Sequence, residues 1–165
     1  MTYIKKRFVV AVTGLILLAI AVCNASPRYG NIPKADIAIG GITIGATESY
    51  VREIYGEPDE IYYESNERRA GSINRKTFRY GTSFFVIFNT DNNSNKVWEV
   101  KSAGNNGLTT PVGFTVGMNL SDVREYYGQG RGDNNHLAYT ADRWYNIMFT
   151  AKNGKITEIR IYPTP

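Results

Sequence analysis

Reactive side chains are sparse in this chain of 165 residues, where His136 is the only histidine and Cys23 the only cysteine. Nucleophilic catalysis needs a nucleophile, a base and an orienting partner within reach of one another. No serine here sits in a nucleophile-elbow sequence, so His136 reads as a surface residue and no catalytic residue is assigned. Asp59 with Glu60, and Glu64 with Glu67, are the acid pairs. Glycosidase chemistry depends on carboxyl separation in space, which sequence neighbours do not provide, so these acids read as solvated.

Metal chemistry finds no better support. Asp91-x-Asn93-x-Asn95 imitates the first half of a calcium loop, but Lys96 stands where glycine is required and Ser102 where the bidentate glutamate belongs. The stretch reads as a hairpin turn. Arg131-Gly132-Asp133 matches an integrin tripeptide inside a run of loop composition. Asn92-Asn93-Ser94 is a glycosylation sequon, of consequence only in a eukaryotic secretory pathway. Arg68-Arg69 and Arg75-Lys76 lack the glycine-rich cradle of a phosphate site and read as a solvated hairpin rim. No metal and no cofactor is expected.

What must position any site begins after an export signal. Lys5-Lys6-Arg7 precede an apolar run from Phe8 to Val22, and Cys23-Asn24-Ala25 offers small residues to a peptidase. Residues 1–25 are therefore read as a cleaved secretory signal peptide, leaving no stable membrane span. Lipidation of Cys23 is the competing reading. Branched Val22 departs from the small residue that a lipoprotein signal places there. Losing three cations with the signal lowers the formal net charge from +4 to +1 and removes the only cysteine. A balanced surface speaks against nucleic acid as a partner, and stability must come from packing without disulfides.

The chain repeats itself 72 residues apart. Nine of sixteen positions are identical, without a gap, between Gly41–Gly56 and Gly113–Gly128. Each copy reads as an extended stretch, a polar helix cap (Thr47 or Asn119) and a short helix. Val51, Ile54 and Tyr55, and in the second copy Leu120, Val123 and Tyr127, recur at helical spacing and mark a buried stripe. Gly56 and Gly128 stop the helices. After each helix the period changes to two. Strands are expected at Ile61–Glu64, Ile73–Tyr80, Ser83–Asn89 and Lys96–Ser102, then at His136–Thr140, Arg143–Thr150 and Lys155–Tyr162, with Asn153-Gly154 as a tight turn.

The fold class that follows is α+β, with two tandem helix-plus-antiparallel-sheet repeats sharing one continuous sheet. The expected division is 26–36 linker, 37–110 first repeat and 111–165 second repeat. About 70 residues without disulfides are marginal alone, which favours a shared core.

The pattern Ile44-Gly45-x5-Val51-x3-Tyr55-Gly56-x-Pro58, with Val116-Gly117-Met118-x4-Val123-x3-Tyr127-Gly128, resembles the helix signature of two exported families. These are the β-lactamase inhibitory proteins and the SmpA/OmlA lipoproteins of the β-barrel assembly machinery. The resemblance covers about sixteen residues per copy and the helix-then-strands order. It implies a bacterial periplasmic, envelope or secreted protein, and, on the inhibitor side, two sheets joined into one concave surface that grips a partner protein. The inhibitors staple each copy with a disulfide, which this chain, with Cys23 alone, cannot form.

Strand parity locates a surface. With Phe88 aligned to Phe149, the residues Phe84, Val86, Phe88, Tyr145, Ile147 and Phe149 face the helices. Phe85, Ile87, Trp144 and Met148 then face the other side, rimmed by Glu99, Arg143, Glu158 and Arg160. This apolar patch is the expected site for an unidentified protein partner; the alternative is that a loop, the other copy or the long hairpin around Glu67–Ser72 covers it as ordinary core. The functional expectation is a non-catalytic binding module; a small envelope hydrolase acting on cell-wall or polysaccharide material is the alternative.

Overall fold

The structure, a computed structural model, describes residues 30–64, 74–91 and 94–164. The segment 1–25 read above as an export signal, with Cys23, and Glu67, Arg68, Arg69, Asn92 and Asn93, lie outside the described residues. The order is a single 3-10 turn (Lys34–Asp36), β1 (Ala38–Ile39), β2 (Ile42–Thr43), α1 (Glu48–Tyr55), β3 (Glu60–Glu64), β4 (Arg75–Tyr80), β5 (Phe84–Asn89), β6 (Lys96–Ser102), α2 (Leu120–Tyr127), β7 (Arg131–Gly132), β8 (His136–Ala141), β9 (Tyr145–Lys152) and β10 (Lys155–Pro163). The fold is α+β. One antiparallel sheet of eight strands runs β3-β4-β5-β6-β10-β9-β8-β7, and β1 with β2 forms a separate small hairpin.

Strand alternation places every second side chain on one face, and that face holds the core. Phe78, Val86, Val100, Ile161, Ile147 and Tyr139 lie on consecutive strands in one row, each fully buried. Val51 of α1, Leu120 and Val123 of α2, and Ile39 and Ile42 of the hairpin join them in a single cluster. Burying an aliphatic side chain contributes about 1.5–3 kcal/mol, which orders helices too short to persist alone.

Each helix is tied to the sheet in the same manner. Before α1, Gly45 N donates to Val97 O (2.8 Å) and Val97 N to Ala46 O (2.9 Å). Before α2, Gly117 N donates to Ile156 O (2.8 Å) and Ile156 N to Met118 O (2.9 Å). After the helices, Tyr80 and Tyr139 donate their hydroxyls to Gly56 O and Gly128 O. Both glycines have positive φ near 75° with ψ near −160°, a region that side chains with a Cβ avoid. Opposite Ile87 and Phe88 the register skips Trp98 of β6, and opposite Ala151 and Thr150 it skips Thr157 of β10 in the same way.

Several expectations need correction. Residues 30–36 are not a bare linker: Thr140 N donates to Gly30 O and Ile32 N to Thr140 O, which lays this segment along β8. Tyr127 Oη then bonds Asp36 Oδ2 at 3.1 Å. The exposed backbone of a strand end recruits the segment, and Pro33, which has no N–H, loses nothing by starting a 3-10 turn.

Thr47 caps α1 by accepting from Tyr50 N, whereas the Asn119 side chain makes no such bond and reaches Asp122 instead. Ile54 is 44% exposed, so the stripe of α1 narrows to Val51 with half-buried Tyr55. The register sets Phe84 in one row with Phe149, through Ser102 and Ile159, and Val86 in one row with Ile147, through Val100 and Ile161. All four lie on the buried face that strand parity assigned them.

Candidate functional site

The second face of the sheet carries no helix or strand among the described residues. Reading across it from one edge, the side chains are Glu60, Arg79, Phe85, Lys101, Arg160, Met148, Ala138 and Arg131, in register on successive strands. A second row begins Tyr62, Thr77, Ile87, Glu99.

These rows redraw the expected patch. Phe85 and Ile87 share β5, and Ile87 is 8% exposed, packed between neighbours rather than presented. Met148 lies on the same face of β9, three strands away, or roughly 14 Å at normal strand spacing. Trp144 is on no strand. Asp142 and Arg143 take positive φ and turn the chain between β8 and β9, which leaves Trp144 at the turn with 67% of its surface exposed. The four residues therefore do not form one apolar patch. Glu99, Lys101, Glu158 and Arg160 fill the two central strands β6 and β10, so charges expected at the rim occupy the middle.

The geometry that does converge is an open groove of about 290 Å³ lined by Tyr62, Glu64, Arg75, Thr77, Phe85, Ile87, Glu99 and Lys101. Lys101 Nζ stands 4.6 Å from the centroid of the Phe85 ring, a cation over an aromatic face. Arg79 pairs with Glu60 at 2.5 Å and bonds the Tyr62 hydroxyl at 3.2 Å, which fixes the wall made by β3. Glu99 is the least solvated acid here. Burial pushes its carboxyl above the usual range, against the opposing pull of Arg160, whose Nε is 3.1 Å away. That Nε is buried and makes no aligned hydrogen bond, so the pair rests on charge alone.

The chemistry considered from sequence stays dispersed. Asp59 accepts from Gly81 N, which ties the start of β3 to the β4–β5 turn. Asp133 accepts from the amides of Asn135 and His136, and His136 Nδ1 lies 3.7 Å from it on an open surface. Asp91 accepts from Asn74 rather than facing a shared centre. Among the described residues no three His, Cys, Asp or Glu side chains gather as a metal site would require, and no helix is long and apolar enough to cross a membrane.

A second cavity of about 370 Å³ lies on the helix side, lined by Lys34, Ala35, Ile37, Thr43, Ile44 and Tyr145. No sequence signal pointed to it, because residues 30–36 read as a linker. Within the groove, Glu99 and Lys101 were visible as alternating polar positions on β6. Their central place follows only from the β6–β10 pairing.

No family model matches the chain, and no curated protein matches it. Among solved structures, the uncharacterized protein yfeY from Escherichia coli is similar at a TM-score of 0.48 and 11% identity, covering 81% of this chain and 100% of that one. At that level the likeness carries no argument.

Proposed function

We propose that this chain is an exported, non-catalytic protein-binding module of the bacterial envelope or the secreted fraction, and that it holds its partner on the helix-free face of the sheet around β4, β5 and β6. The observation that carries this is the groove on that face, where an aromatic side chain lies under a cation and beside a partly desolvated carboxylate. Aromatic anchors within a charged surround are the usual source of binding energy at protein interfaces.

The same reading takes the two halves as copies of one unit. The nine identities over sixteen positions support it, as do the paired bonds from Gly45 and Gly117 and the tyrosine bonds to both helix-ending glycines. Two joined copies presenting one sheet are the arrangement that the inhibitory-protein resemblance implies.

The test is site-specific photo-crosslinking in the native envelope, with the probe placed at Thr77 and, separately, at Ser121 in the first turn of α2. One discrete adduct is expected from Thr77 and none from Ser121. Phe85→Ala and Lys101→Glu should each reduce the adduct about tenfold or more with the melting temperature held within a few degrees. Adducts of equal yield from both probe sites, or indifference to both substitutions, defeat the reading. The intact mass of the same preparation tests export: a chain starting at residue 26 is expected, and a lipidated species starting at Cys23 replaces cleavage with anchoring.

A further inference from the structure

The two ends of the sheet are finished differently. At one end β7 has only two residues, and the Gly30–Ile32 segment takes up the Thr140 backbone beyond it. At the other end β3 runs for five residues, paired without interruption from Glu60–Arg79 to Glu64–Arg75. Among the described residues it pairs with β4 alone. All five of its residues are exposed, with Tyr63 at 75%.

Natural edge strands are usually blunted by lysine, proline, a bulge or very short length, because their unpaired amides and carbonyls invite another strand. Glu-Ile-Tyr-Tyr-Glu has none of these devices. Its only guards are the acids at its ends, and their placement selects what can dock. In an antiparallel pair of two copies centred on Tyr62, each Glu60 faces a Glu64, and like charges directly opposite are destabilising. A strand with cations at those two places meets carboxylates whose other neighbours are Arg79 and Arg75, so charge alternates across three strands. Ile61 and Tyr63, on the opposite face, accept apolar side chains.

We propose that the edge of β3 docks an extended segment of another protein as a ninth strand, with basic residues opposite Glu60 and Glu64 and apolar residues opposite Ile61 and Tyr63. Backbone hydrogen bonds supply affinity and the alternating side chains supply selection, as in other strand-addition sites. The site uses the backbone edge of β3 and shares the Tyr62 and Glu64 side chains with one wall of the groove, but strand addition does not require the groove to be occupied.

The experiment uses the exported chain, residues 26–165, and a fluorescein-labelled peptide, Gly-Ser-Lys-Val-Lys-Val-Lys-Ser-Gly. Fluorescence anisotropy should show saturable binding, and hydrogen exchange should slow in β3 with no change in β9. Reversing the charges in E60K with E64K, or N-methylating alternate peptide amides, should each weaken binding about tenfold or more. The proposal is overturned by no saturation at about 1 mM peptide, by binding indifferent to charge reversal, by protection elsewhere than β3, or by dimerisation through β3 in the absence of peptide. Crosslinking from Thr77 is scored independently, so failure here and failure of the groove are distinguishable.

Discussion

Tyr139 shows how a single side chain joins helix to sheet. Its hydroxyl donates to Gly128 O at 2.8 Å while its ring packs 5.1 Å from that of Tyr127. Burial pushes the Tyr139 phenol up to about 12. Burial also raises Tyr55 and Tyr80, and raises Tyr127 further still beside the Asp36 carboxylate. A folded pKa above the unfolded value means that the native state holds its protons longer. This stability is complete below about pH 10 and is lost as pH rises through the folded values. Urea unfolding should therefore show a flat stability between about pH 6 and pH 9 and a fall beginning near pH 10. Tyr139→Phe should make that fall shallower while costing about 1 kcal/mol at neutral pH for the lost hydrogen bond. Glu48 behaves oppositely: burial pushes it up, but Lys76 and Arg52 outweigh that and hold it below 4.5, so its contribution is present above that pH and lost in acid. None of these partners was legible in the sequence, because a hydroxyl's reach depends on which strand lies under which helix. The glycines that accept from Tyr80 and Tyr139 were legible, since a glycine closing an apolar helical stripe signals a backbone turn after either helix.

At the scale of the element, α1 separates two residues that periodicity had grouped. Val51 is fully buried and Ile54 is 44% exposed. Val51→Ala should lower stability by about 2 kcal/mol, from lost transfer energy plus a cavity, and Ile54→Lys should change it by less than about 0.5 kcal/mol. Equal losses at both sites, measured by thermal melting, would restore the wider stripe. The long strands were legible almost to the residue, with β6 matching from Lys96 to Ser102, because alternation over six or seven residues is an unambiguous period. The two-residue strands β1, β2 and β7 contain no period to read. Trp144 illustrates the remaining failure: it continues the alternation of β9, but the positive φ of Asp142 and Arg143 ends the strand before it.

Across the whole molecule, β6 and β10 form the seam. Strands from residues 60–102 and strands from residues 131–163 meet only there within the sheet, through Val100–Ile161, Lys101–Arg160 and Ser102–Ile159. Hairpin neighbours could be read from turns, but the seam could not, because pairing between distant strands leaves no local trace. Separately produced fragments 26–110 and 111–165 should each lack dispersed amide resonances, since separation exposes Val100, Ile159 and Ile161, all fully buried in the whole chain. Two independently folded fragments would disprove a shared core. The seam also sets an order of events in time. Among the described strands, the one that closes the middle of the sheet comes latest in chain order, so a growing polypeptide halted before residue 155 leaves the inner edges of β6 and β9 without the strand that joins them.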